Sequence, residues 1–160
     1  MATSTVTAST TTHDKSIRGH ATFGTRVLAG ILGGIGGGLI FGMLMAMMGM
    51  LPTIASMVGS DSPIIGFLIH MMMSIGIGLG LTVLFGNSLL TSYPRGLLFG
   101  IGYGIIWWVL GPLMAMPMIF GMAPFSFDAT TLPSLMGHMI FGAILGTVAV
   151  KVLARHSKAA

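Results

Sequence analysis

The chain has 160 residues, enough for one domain; 54% are hydrophobic and only 6% charged, and the mean hydropathy is +0.96. Between Arg26 and Lys151 only Asp61, Arg95 and Asp128 carry formal charge, too few to cover a soluble surface, so an integral membrane protein is implied. Glu and Cys are absent, which excludes disulfides, thiolate metal sites, thiol nucleophiles and Glu-based acid/base pairs.

Residues 1–25 are rich in Thr and Ser, lack apolar periodicity and read as a disordered tail. They do not read as a secretory signal, because the first apolar run begins only at Val27 and is too long for one. A four-helix transmembrane domain is expected over 26–155, with helices near 27–50, 63–86, 96–120 and 132–152, and a short tail over 156–160. Asp61-Ser62 before Pro63 suits a cap and first-turn proline, as does Asp128 to Thr131 before Pro133. Asn87-Ser88 and Tyr93-Pro94 punctuate the middle loop. Pro112 and Pro117 should kink the third helix.

The net charge of +4 is not a nucleic-acid footprint: the basic residues flank apolar segments and form no patch with interleaved aromatics. Lys15, Arg18, Arg26, Arg95, Lys151, Arg155 and Lys158 all fall in the tail, the middle loop and the C-terminus. The other two loops carry no Lys or Arg, so both termini are expected on the cytoplasmic side of a prokaryotic inner membrane.

The halves resemble each other. Phe41–Met48 (FGMLMAMM) matches Leu110–Pro117 (LGPLMAMP), and Arg26 pairs with Arg95, both at an offset of 69. At 68, His70-Met71 pairs with His138-Met139, and Ser74 and Gly78 with Gly142 and Gly146. The expected fold is therefore all-α: a membrane bundle of four transmembrane helices, built from two tandem hairpins related as a parallel repeat.

Small residues predict the packing faces. Gly30, Gly34, Gly38 and Gly42 recur every fourth residue on the first helix, Ser74 and Gly78 do so on the second, and Gly142 and Gly146 on the fourth. On the third helix the equivalents of Gly30, Gly34 and Gly38 are Phe99, Tyr103 and Trp107, an aromatic ridge expected to fill the first helix's groove.

His70 and His138 each head a small-residue ladder, so each should face protein and not lipid, about 8–10 Å below the proline end of its helix. One reading is that each staples two helices by a hydrogen bond, with no cofactor. The other is a ligand pair for haem, a pigment or Cu(I), with thioethers from Met45, Met47, Met114 and Met116 as soft ligands. Packing is the ordinary use of a methionine-rich core. The glycine run Gly33–Gly38 lacks the strand and lysine of a phosphate loop.

Gly137–Gly146 (GHMIFGAILG), Ile65–Leu81 (IGFLIHMMMSIGIGLGL) and Tyr103–Pro117 (YGIIWWVLGPLMAMP) together resemble an uncharacterised family of small prokaryotic four-helix membrane proteins. The resemblance spans about Arg26 to Val150, departs at Phe141 where Tyr is common, and implies importance for His70 and His138 but no activity. The functional expectation is a non-catalytic accessory or packing subunit, partnered by lipid and by other membrane subunits or itself. The alternatives are a haem-, pigment- or Cu(I)-binding protein and a small dimeric transporter.

Overall fold

The structure, a computed structural model, describes residues 20–156. Most of the expected N-terminal tail and residues 157–160 lie outside the described residues. Helix α1 spans Phe23–Met47, α2 Leu51–Ala55, α3 Pro63–Phe85, α4 Tyr93–Trp108, α5 Met116–Ile119 and α6 Thr131–His156. A 3₁₀ turn, Ser56–Val58, follows α2, and a π-helical segment, Val109–Ala115, joins α4 to α5. Among the described residues, four stretches are long and apolar enough to cross a bilayer: Phe23–Met47, Pro63–Phe85, Tyr93–Ile119 and Thr131–Arg155. The protein is an all-α, multi-pass membrane protein.

Helix ends follow local chemistry. Thr22 caps α1, its side-chain oxygen accepting from the Thr25 N–H at 3.3 Å, so the helix starts four residues before the apolar run. Pro94 sits in the first turn of α4, where its missing N–H costs nothing, and the helix therefore absorbs the Tyr93-Pro94 punctuation. At its far end α1 stops at Met47 instead of Met50, because Gly49 turns left-handed at φ 67°. The chain then winds α2 against α3, where the Leu51 carbonyl lies so near Gly66 that a side chain there has no room.

The prolines of the third span widen it. Pro112 lies inside the π-helical segment, whose larger turn accommodates a ring that would crowd an α-helix. Pro117 cannot donate to the Leu113 carbonyl four residues back; the Phe125 N–H does so instead, at 2.7 Å. The loop thereby folds over the helix end, with Phe125 held at φ 60°. Before α6, Asp128 accepts from the Thr130 N–H at 2.8 Å and from the hydroxyls of Thr130 and Thr131 at 2.7 and 3.1 Å. These bonds, the Thr130 hydroxyl's foremost, hold its carboxyl below the usual carboxylate range.

The four spans pack as a row, α3–α1–α6–α4, with α1 and α6 central. Glycine decides the order. Gly30, Gly34, Gly38 and Gly42 face α3: a methyl on Gly34 would meet the Ser74 carbonyl oxygen at 2.6 Å, and one on Gly30 the Gly78 carbonyl oxygen at 2.8 Å. Gly33 and Gly37, on the adjacent face of α1, take Leu145 and Phe141 of α6. Gly142 and Gly146 of α6 then lie directly on the backbone of Gly100 and Gly96 of α4.

Two expectations change here. The groove of α1 is filled by α3, not by the aromatic ridge. The third span carries its own ladder, Gly96, Gly100 and Gly104, three residues before the ridge; two bare backbones approach more closely than glycine and an aromatic ring, so that ladder takes the interface. The contacts also equate Gly30 with Gly96 and Gly34 with Gly100, a separation of 66, where the LMAM match runs at 69.

Backbone contact of this kind tolerates no added bulk. Gly100→Leu should destabilise the protein by roughly 1–3 kcal/mol or more, because its Cβ would fall on the Gly142 carbonyl. Gly76→Ala, with open space around it, should unfold with the wild type. Unfolding in mixed micelles by increasing SDS separates the two; equal stability of Gly100→Leu would contradict the packing.

Candidate functional site

Two ends of the molecule can be told apart by their side chains. Arg26, Arg95, Lys151 and Arg155 lie at one end of the row, and Asp61 and Asp128 lie at the other, with most of the methionines. The polar site sits in the methionine half, where α1, α3 and α6 meet.

Phe41 of α1 is its centre. The ring is buried, 5.3 Å from the imidazole of His70 on α3 and 4.7 Å from that of His138 on α6, edge-on to both. The absence of a side chain at Gly137 makes room for the ring, which occupies the space a Cβ would take. A cavity of about 50 Å³ lies beside it, lined by Phe41, His70, Met73, Ser74, Ile77, His138 and Phe141.

Each histidine is oriented by a backbone carbonyl. His70 Nε2 lies 3.0 Å from the Gly38 carbonyl oxygen. A carbonyl only accepts, so that nitrogen carries the proton and Nδ1 of neutral His70 keeps a bare lone pair. Ser74 Oγ is 3.4 Å from the same Nε2. The bond ties α3 to α1. His138 Nδ1 donates to the Ser134 carbonyl in its own helix at 2.8 Å, which leaves Nε2 of neutral His138 as the bare nitrogen.

Of the residues singled out as ligands, the structure brings together His70 and His138 and leaves the four methionines elsewhere. Met45 is buried in the core, Met47 is 83% exposed, and Met114 and Met116 belong to the widened third span; none lines the histidine cavity. The methionine that does is Met73, three residues after His70 and so on the same side of α3. Phe41 was also missed: its place is set by Gly137, ninety-six residues away, a pairing that no local pattern signals.

The space is a test of the groups proposed for it. A water needs about 10–15 Å³ of such space, so 50 Å³ admits a single ion or a few waters. A tetrapyrrole does not fit while Phe41 fills the centre. Among the described residues no three His, Asp, Glu or Cys side chains converge, so a metal here would rely on the two imidazoles and a thioether. That is a donor set for Cu(I).

The ridge has a separate role. Tyr103 Oη donates to the Ile77 carbonyl at 3.1 Å, bridging α4 to α3, and Trp107 stands edge-on to Tyr103 at 6.2 Å. Phe99 is 43% exposed, on the open side of α4. The chain matches no known family model, no curated protein and no solved structure.

A bond between helices should matter more than one within a helix. His70→Leu should lose about 0.6 kcal/mol, and at most about 1.7, the average and the maximum for a single polar contact between membrane helices, and His138→Leu less. Reversible SDS unfolding of both variants measures the difference; a larger loss for His138→Leu would reverse the assignment of roles.

Proposed function

We propose that the protein is a non-catalytic packing subunit of a larger membrane assembly or homo-oligomer. The observation that carries this reading is the uneven burial of the spans. In the most apolar 18 residues of each span, 44% and 39% are buried in the central α1 and α6, against 28% and 17% in α3 and the α4–α5 span. Each end helix packs closely against one other span, α3 on α1 and α4 on α6, and α3 and α4 meet each other mainly through Tyr103. On α3 the exposed residues Ile64, Leu68 and Met72 form a stripe at a spacing of four, along which another helix can lie. The Lys and Arg bias supports a prokaryotic inner membrane with both termini in the cytoplasm, and the offsets of 68 and 69 support an internal duplication.

The absence of cysteine makes the test clean. A single Leu68→Cys variant in native membranes, treated with a short bis-thiol or thiol–amine crosslinker, should yield a discrete band containing a second copy or one recurring membrane protein. Cys at Ile75, which lies against α1 beside Gly34, should yield none. Only monomer from Leu68→Cys, with monomer again on mild-detergent extraction, would overturn the reading.

A second reading, a Cu(I) site, is favoured by one observation: the bonds to Gly38 and Ser134 leave one unprotonated nitrogen on each histidine of a small shared cavity that Met73 also lines. Titration of the purified protein with Cu(I) under competition from a colorimetric chelator should give one equivalent bound, lost in His138→Leu. Failure of the wild type to compete removes this reading and leaves the first intact.

A further inference from the structure

Between the end helices lies a second and larger space. Leu81 and Phe85 of α3, Leu89 of the following loop, and Leu98, Phe99, Gly102, Tyr103 and Ile106 of α4 line a cleft of about 520 Å³, in the size range of ligand pockets. Every one of these side chains is apolar except the Tyr103 hydroxyl, which is turned to the Ile77 carbonyl. We propose that this cleft holds one acyl chain of an anionic glycerophospholipid, with the phosphate on Arg95.

Length argues for a lipid chain and against a helix. Leu98 to Ile106 is eight helical steps, about 12 Å of α4 at helical rise, and Leu81 to Phe85 and Leu89 cover a similar stretch. That is close to half of the roughly 30 Å hydrocarbon layer, the depth of one leaflet. A membrane-spanning partner helix, about 10 Å across with its side chains, needs a groove through both leaflets. This cleft is crossed at mid-depth by the Tyr103 bond to α3.

Charge places the headgroup. Arg95, Leu98, Phe99, Gly102, Tyr103 and Ile106 recur in an i, i+3, i+4, i+7, i+8, i+11 pattern, so they share one face of α4 with the arginine at its membrane-surface end. The guanidinium is exposed and bonds only weakly, to the Thr91 hydroxyl at 3.2 Å. Arg26, by contrast, already donates to the Val83 carbonyl at 2.8 Å. Both acidic residues among the described residues, Asp61 and Asp128, belong to the opposite end, so no described carboxylate side chain lies at the Arg95 end. A guanidinium grips phosphate through paired N–H donors, and the further cations Lys151 and Arg155 at this end favour a headgroup with net negative charge.

The full-length protein, reconstituted in nanodiscs of equal palmitoyl-oleoyl phosphatidylglycerol and phosphatidylcholine, is released into native mass spectrometry. One phosphatidylglycerol should stay bound in preference to phosphatidylcholine. Arg95→Gln should cut that preference about fivefold, the weight of one cation near an anionic headgroup, with total lipid retention less affected. Gly102→Leu has nothing within 4 Å of its new Cβ, so it should fold, with unchanged helicity and SDS stability, while filling the cleft and removing the retained lipid of either kind. Equal retention of both lipids in the wild type, or an undiminished adduct in Gly102→Leu, would overturn the proposal. Inorganic phosphate at millimolar concentration should not displace the lipid; displacement by phosphate alone would assign Arg95 to a free anion and overturn the acyl-chain site.

Discussion

Helices in lipid gain little by hiding apolar side chains from one another, because hydrocarbon surrounds them in either state. What remains is close contact between backbones, and this fold depends on it. Gly30 and Gly34 against Ser74 and Gly78, and Gly96 and Gly100 against Gly142 and Gly146, bring helix axes together without an intervening side chain. Each such approach adds dispersion contacts that a larger residue would forfeit. The row order follows from which faces of which helices are bare. α1 has two bare faces, and α6 has one bare face and one of Phe141 and Leu145, so these two sit centrally.

The same constraint explains how much the sequence disclosed. A ladder of small residues every fourth position is visible in one dimension, so Gly30, Gly34, Gly38, Gly42, Ser74, Gly78, Gly142 and Gly146 were legible as packing positions. Their partners were not. Two ladders on one helix, offset by a single residue at Gly33 and Gly37, look alike until a neighbour chooses between them. Aligning the halves by LMAM put aromatic residues where glycines belonged, because that match falls mostly within the π-helical segment, whose winding differs from that of the α-helix carrying the LMAM run of the first span. The Gly96, Gly100 and Gly104 ladder was readable by its own spacing and was hidden by the alignment.

Polar groups complete what glycine begins. His70 reaches across to the Gly38 carbonyl on the very ladder that lets α3 approach, and Tyr103 reaches the Ile77 carbonyl from α4. Both are side-chain donors serving backbone acceptors, the economical solution where water cannot solvate either partner. That each histidine faces neighbouring helices was readable from spacing alone, but their separation by Phe41 was not. That ring requires an empty position at Gly137, and the requirement appears only once α1 and α6 are side by side.

The two halves of the membrane are thus built differently. Towards the methionine end, α2 packs onto α3, Phe41 plugs the centre, and the loop after α5 folds back to serve the Leu113 carbonyl. Towards the arginine end, α3 and α4 part, and between them side chains leave space instead of filling it. A chain selected only for dense self-packing would place another small-residue face on α4 towards α3. It has Phe99 and Tyr103 there, with Gly102 between them and Arg95 a turn below, so bulk flanks a gap that ends in a positive charge. An apolar space open to the bilayer cannot stay empty, since a void has no atoms to attract its lining. Filling it by a lipid tail costs no new surface and supplies the contacts that α3 and α4 do not make with each other beyond Tyr103.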